Sequence, residues 1–173
     1  MIAARALPLA AALLIGCSAG AQPDGPQTNT VAPAATPDGR LAEAQVGGRT
    51  LRLVTEGGQC ALAAGAAPVP LGLAAPCGFL RPKAGAAAWV HDYGPRGAVV
   101  LVGGPPATAV TADSGRTAAD RCSDVGRAVI VAEGKVGLSE IKRSAGWFCP
   151  DAAPDEKYYY GIAHDPAGRT PVG

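Results

Sequence analysis

The chain has 173 residues, a formal net charge of +1 and 48% hydrophobic residues, 37 of them alanine. The length suits one ordinary domain, and the near-neutral charge excludes the basic stripe of a nucleic-acid binder and an acidic disordered tail. Leu, Ile, Val and Phe number only 34, close to the roughly 20% level below which a chain stops folding, so the core is expected to be thin.

The N-terminus carries one cation, Arg5, then the apolar run Ala6 to Ile15, then Gly16-Cys17-Ser18. A cation, an apolar stretch and a small residue in that order form the layout of a secretory signal. The run falls short of the about 20 residues that span a bilayer. Leu14-Ile15-Gly16-Cys17 resembles the lipobox of bacterial lipoproteins. The resemblance covers residues 1–18 and implies cleavage of a 1–16 signal peptide, then diacylglyceryl modification and N-acylation of Cys17, palmitate being a typical acyl group. Ser18 stands where many inner-membrane lipoproteins of Gram-negative bacteria carry Asp, which favours the outer membrane. Two or more acyl chains give stable attachment.

Residues 17–40 are rich in Pro, Gly, Ala and Thr and show no hydrophobic period. They read as a linker whose upper reach is about 70 Å. A single β-rich domain is expected over 41–173. Thr50 to Thr55 alternates apolar and polar positions and ends at Gly57-Gly58, the pattern of a strand. Cys60–Ala63 and Val69–Leu73 read as short strands or a hairpin with an irregular turn, the second demoted to a sheet edge or a bulge by Pro70. Cys77–Arg81 and Ala87–Tyr93 are further extended candidates. Ala98–Val102 is the most apolar run of the mature chain and is expected at a sheet centre.

Residues 107–126 are less patterned; Ser114–Arg121 fits a short helix capped by Asp113 or Ser114, or a loop. Arg127–Ala132 and Val136–Ile141, around Glu133-Gly134-Lys135, form the clearest hairpin. Lys157–Ala163, with Tyr158, Tyr159 and Tyr160, is expected to close the domain as a strand. The sum is a mainly β fold, a small antiparallel sandwich or open barrel of short strands with little helix.

With Cys17 assigned to lipid, Cys60, Cys77, Cys122 and Cys149 remain as an even set in an oxidising compartment. Three pairings are possible; Cys60–Cys77 and Cys122–Cys149 are preferred because each closes one local loop. Such loops contribute about 3 and 3.5 kcal/mol through chain entropy. Zinc is the competing use, but the cysteines lack the short ligand spacing of zinc sites and His91 and His164 lie far apart. Neither a metal nor any cofactor is expected.

Catalytic signals are sparse. His91-Asp92 and His164-Asp165 set a carboxylate beside an imidazole, the residues of an envelope hydrolase if they converge. Neighbours on a strand, however, point to opposite faces. Asp113-Ser114-Gly115 reads as a turn, and no nucleophile elbow, phosphate loop or dinucleotide fingerprint occurs. Five of the eight aromatic residues (Trp147, Phe148, Tyr158, Tyr159 and Tyr160) fall within fourteen positions. On a strand, Tyr158 and Tyr160 would share one face and Tyr159 the other, one face filling the core and one meeting a partner. The expected role is therefore binding, through Trp147, Tyr158, Tyr159 or Tyr160. Candidate partners are another envelope protein, peptidoglycan or a toxin, with the membrane contacted by the lipid and no nucleic acid.

Overall fold

Double glycines set the first sheet. In a computed structural model covering residues 36, 39–109, 115–165 and 169–172 (backbone alone at 144–147 and 169–172), β1 (Glu43–Val46) and β2 (Arg49–Glu56) pair antiparallel around Gly47-Gly48. β2 then pairs with β3 (Gln59–Ala63) around Gly57-Gly58. All four glycines have positive φ, the conformation that two-residue hairpins require to match strand twist. A five-residue loop and a bulge at Cys60/Ala61 lead into β4 (Val69–Ala74), completing the order β1-β2-β3-β4. As Pro70 predicts, β4 is an edge.

The second sheet contains seven strands: β5 (Gly78–Phe79), β6 (Val90–Asp92), β7 (Ala98–Gly103), β8 (Ser123–Ala132), β9 (Lys135–Ser139), β10 (Lys142–Phe148) and β11 (Arg169–Val172). The backbone order is β11-β9-β8-β7-β5, with β10 also pairing β8 and β6 also pairing β7. The β8–β9 hairpin turns on Glu133-Gly134, both at positive φ, with Ala132 opposite Lys135. A bridge from Leu41 to Phe79 connects the two sheets. The fold is thus mainly β, two antiparallel sheets with one helix, as the sequence predicts.

β7 lies at the centre, and every one of its residues is buried. Ala98, Val100 and Val102 point between the sheets, where they join Leu51, Leu62, Leu71, Leu73 and Phe79. Val99 and Leu101 point the other way, joining Ala128, Ile130, Phe148, Tyr159, Ile162 and Ala163 in a second core. An unbroken apolar run is what a strand buried on both faces demands. Phe148 reaches this core through a slot formed by a cross-strand glycine pair, Gly103 opposite Gly126. A Cβ on Gly126 would lie 2.5 Å from a carbon of the Phe148 ring.

Both disulfides take the predicted pairing. Cys60–Cys77 ties β3 to the chain entering β5, and Cys122–Cys149 ties the residue before β8 to the residue after β10. Arg127 fastens the sheet edges: its Nε donates to the Ser139 carbonyl (2.6 Å) and one Nη to Leu71 on β4 (2.9 Å). Arg40, the last residue of the predicted linker, is 1% exposed and donates to the carbonyls of Gly104 and Arg121.

Two expectations are corrected and one is narrowed. Lys157–Ala163 is no strand but part of α1 (Glu156–His164). Of the helix or loop left open over Ser114–Arg121, the structure shows a 3-10 turn at Ala118–Asp120, boxed by Thr117 and Asp120; Asp113 and Ser114 lie outside the described residues. The strand at Ala87–Tyr93 shrinks to Val90–Asp92. Among the described residues, no helix is long and apolar enough to cross a membrane.

Candidate functional site

The tyrosine run lies in α1, whose first turn is fixed by Asp155. The Asp155 carboxylate accepts from the Tyr158 amide (3.3 Å), capping α1, and Glu156 in the first turn complements the helix dipole. Helical spacing separates the three tyrosines by about 100° each. Tyr159, Ile162 and Ala163, at i, i+3 and i+4, face the sheet and are buried. Tyr158 is half-buried with its ring edge-on to Phe148. Tyr160 points outward and is 53% exposed.

The predicted partner-binding set is accordingly revised. Tyr159 is fully buried and cannot meet a partner. Tyr158 lines a groove of about 340 Å³ with Lys142, Lys157, Gly161, Ile162 and Asp165. Tyr160 alone of the three presents most of its ring to solvent. The Trp147 side chain lies outside the described ones.

Opposite α1, the chain through β6 carries Trp89, His91 and Tyr93 at alternating positions, so all three side chains share one face. That face meets the helix. His91 lies 4.3 Å from the Tyr159 ring and 5.1 Å from Trp89; Tyr93 stacks near His91 at 6.3 Å. Tyr93 also meets Tyr160 edge-on at 5.9 Å and His164 edge-on at 6.0 Å. Tyr160 and His164, one helical turn apart, stack at 3.8 Å. The fold therefore gathers both histidines of the chain and four aromatic rings into one cluster, half buried under α1 and half open at Tyr160.

Hydrogen bonds fix the open end. His164 Nδ1 donates to the Tyr160 carbonyl (2.9 Å), since a carbonyl can only accept. The Tyr93 hydroxyl donates to the carbonyl of Glu156 (3.3 Å). Burial, then Glu156, then Tyr160 push the Tyr93 phenol above its ordinary value. Burial does the same to Tyr158, and more strongly to Tyr159. The three phenols stay neutral at ordinary pH.

Asp92 does not pair with His91, and His164 and Asp165 both sit at the end of α1. Asp92 faces away from His91, and its carboxylate accepts from the Gly94 amide (2.9 Å) to close a turn. His164 spends its Nδ1 proton on a carbonyl, and Asp165 follows as the helix cap, its amide donating to Ile162 (3.4 Å). No group of three or more His, Cys, Asp or Glu among the described residues could hold a metal ion.

The residues overlooked by sequence reasoning are Trp89 and Tyr93. Their period-two spacing with His91 was the available signal, but it names a shared face only, without the helix that covers it. Comparison with protein-family models, with curated proteins and with solved structures gives no match for this chain.

Proposed function

We propose that this chain is a lipoprotein of the bacterial cell envelope, anchored through Cys17 in the outer membrane, whose β domain binds another envelope macromolecule through Tyr160. The observation that carries the binding half is the exposed Tyr160 ring, held rigid by stacking on His164 and by the edge of Tyr93. A pre-ordered aromatic loses little entropy on contact, which makes Tyr a frequent hot spot. The anchoring half rests on Leu14-Ile15-Gly16-Cys17 after an apolar run.

The test has two arms. Feeding an alkyne-bearing palmitate to cells should label the wild-type protein and leave Cys17→Ser unlabelled; an unlabelled wild type defeats the anchor. A photo-cross-linking amino acid at position 160 in intact cells should give a discrete adduct that a cross-linker at position 45 on β1 does not. Tyr160→Ala should weaken binding of the identified partner by about 30-fold, the equivalent of a 2 kcal/mol hot spot. No adduct at 160, or full affinity in Tyr160→Ala, defeats the binding surface.

A further inference from the structure

Two polar atoms in the covered half of the cluster lack partners. His91 Nε2 and the Tyr159 hydroxyl are both buried, and neither has a hydrogen-bond partner among the described residues. Their rings lie 4.3 Å apart across the seam between β6 and α1. Buried polar groups are nearly always paired, so two orphans in one seam call for an explanation. Ring packing holds the seam together: Tyr159 is fully buried, and the register partner of His91 on β7 is the apolar Val99.

We propose that His91 makes the docking of α1 sensitive to acid: proton uptake by its imidazole loosens the helix from the outer face of the large sheet. A neutral imidazole tolerates a dry Nε2 when that nitrogen is the bare one. An imidazolium carries N–H on both nitrogens and needs an acceptor for each. Tyr159 offers a hydroxyl oxygen without the charge to match. β7 beneath offers Val99. Glu156 at the start of α1 is the carboxylate that acts on His91, and it favours the proton. Tyr93, next on the same face, is neutral, and His164 and Tyr160 lie beyond it.

Burial outweighs Glu156 and holds the imidazole below its ordinary pKa of 6.5. The unfolded or undocked chain therefore binds the proton more readily than the docked one. By linkage, docking is at full strength above the ordinary value and weakens as pH falls from about 6.5 through the depressed folded value. α1 carries both Tyr160 and His164, so its release would dismantle the open end of the cluster. The device itself does not depend on what Tyr160 meets.

Histidine NMR on the full mature chain, combined with amide hydrogen exchange at about pH 7.5 and pH 5, tests this. His91 should titrate below 6.5, and Glu156→Gln should move it lower still. At the lower pH, amides of Tyr159 to Ala163, corrected for intrinsic rates, should exchange faster, by no more than the factor that the measured His91 shift sets through linkage, while those of β2 and β3 hold. His91→Phe should abolish the difference and His164→Gln should leave it. A His91 that titrates at or above 6.5, unchanged α1 exchange, or the same acid response in His91→Phe overturns the proposal. Should His91→Phe fail to fold, the wild-type titration and exchange decide alone.

Discussion

The same substitution should have opposite signs at two glycines 35 positions apart. At Gly126 on β8, an added Cβ falls 2.5, 2.6 and 2.7 Å from three ring carbons of Phe148. Unstrained carbon contacts sit at about 3.5–4.0 Å, so the clash is roughly 1 Å deep. Phe148 is fully buried, so its ring has little room to swing aside. Relief must come from the backbone or from neighbouring core residues, the usual origin of overpacking losses of about 1–3 kcal/mol. Gly161, inside α1, has nothing within 4 Å of its Cβ position. There alanine removes the helix penalty of glycine, about 0.5–1 kcal/mol. Gly126→Ala and Gly161→Ala should therefore differ by about 2–3 kcal/mol. In urea unfolding with disulfides intact, a slope of about 1–3 kcal/mol per molar separates their midpoints by roughly 0.7–3 M. Gly126→Ala within about 0.5 kcal/mol of wild type, the range of an ordinary surface change, would show that Phe148 is not wedged between the two glycines.

Two further outcomes concern the staples. Replacing Cys60 and Cys77 together by alanine should cost about 3 kcal/mol, and replacing Cys122 and Cys149 about 3.5, from loops of 17 and 27 residues. Together they exceed the lower end of typical domain stability, about 5 kcal/mol, so reductant should shift the urea midpoint by more than either single loss; an unchanged midpoint in reductant would refute this. Arg127→Met removes the bonds to Ser139 and Leu71 and should cost about 2–3 kcal/mol, with Arg127→Lys recovering part, as measured by thermal unfolding. A neutral outcome for Arg127→Met would mean that β4 is held by its pairing with β3 and by the core alone.

Much of the fold was legible because its information is local. Gly57-Gly58 ends an alternating strand, and Glu133-Gly134-Lys135 between two apolar runs marks a hairpin, whatever the rest of the chain does. Pro70 lacks an amide and is excluded from a sheet centre, so β4 had to be an edge. Of the three pairings open to Cys60, Cys77, Cys122 and Cys149, the preference for local loops picked the one the structure shows. The candidate site was legible only in part. His91 and His164 are 73 positions apart, and nothing in their local sequence says that Tyr93 stands between them.

The conformation of Tyr158-Tyr159-Tyr160 shows where local information stops. Aromatic residues favour strands, yet a helix of nine residues is marginal on its own, so neither preference decides. The decision comes from the outer face of β7 and β8, where Val99, Leu101, Ala128 and Ile130 need cover. Wound as a helix behind the Asp155 cap, the segment offers Tyr159, Ile162 and Ala163 to that face at once; as a strand it would offer alternate residues and leave Ile162 and Ala163 on opposite sides. Chain-local rules thus determined the turns, the sheet edge and the sulfur pairing. Burial of a second apolar face, a property of the assembled sheet and of no single segment, decided that the tyrosines form a helix and that Tyr93 links the two histidines into one cluster beneath and beside it.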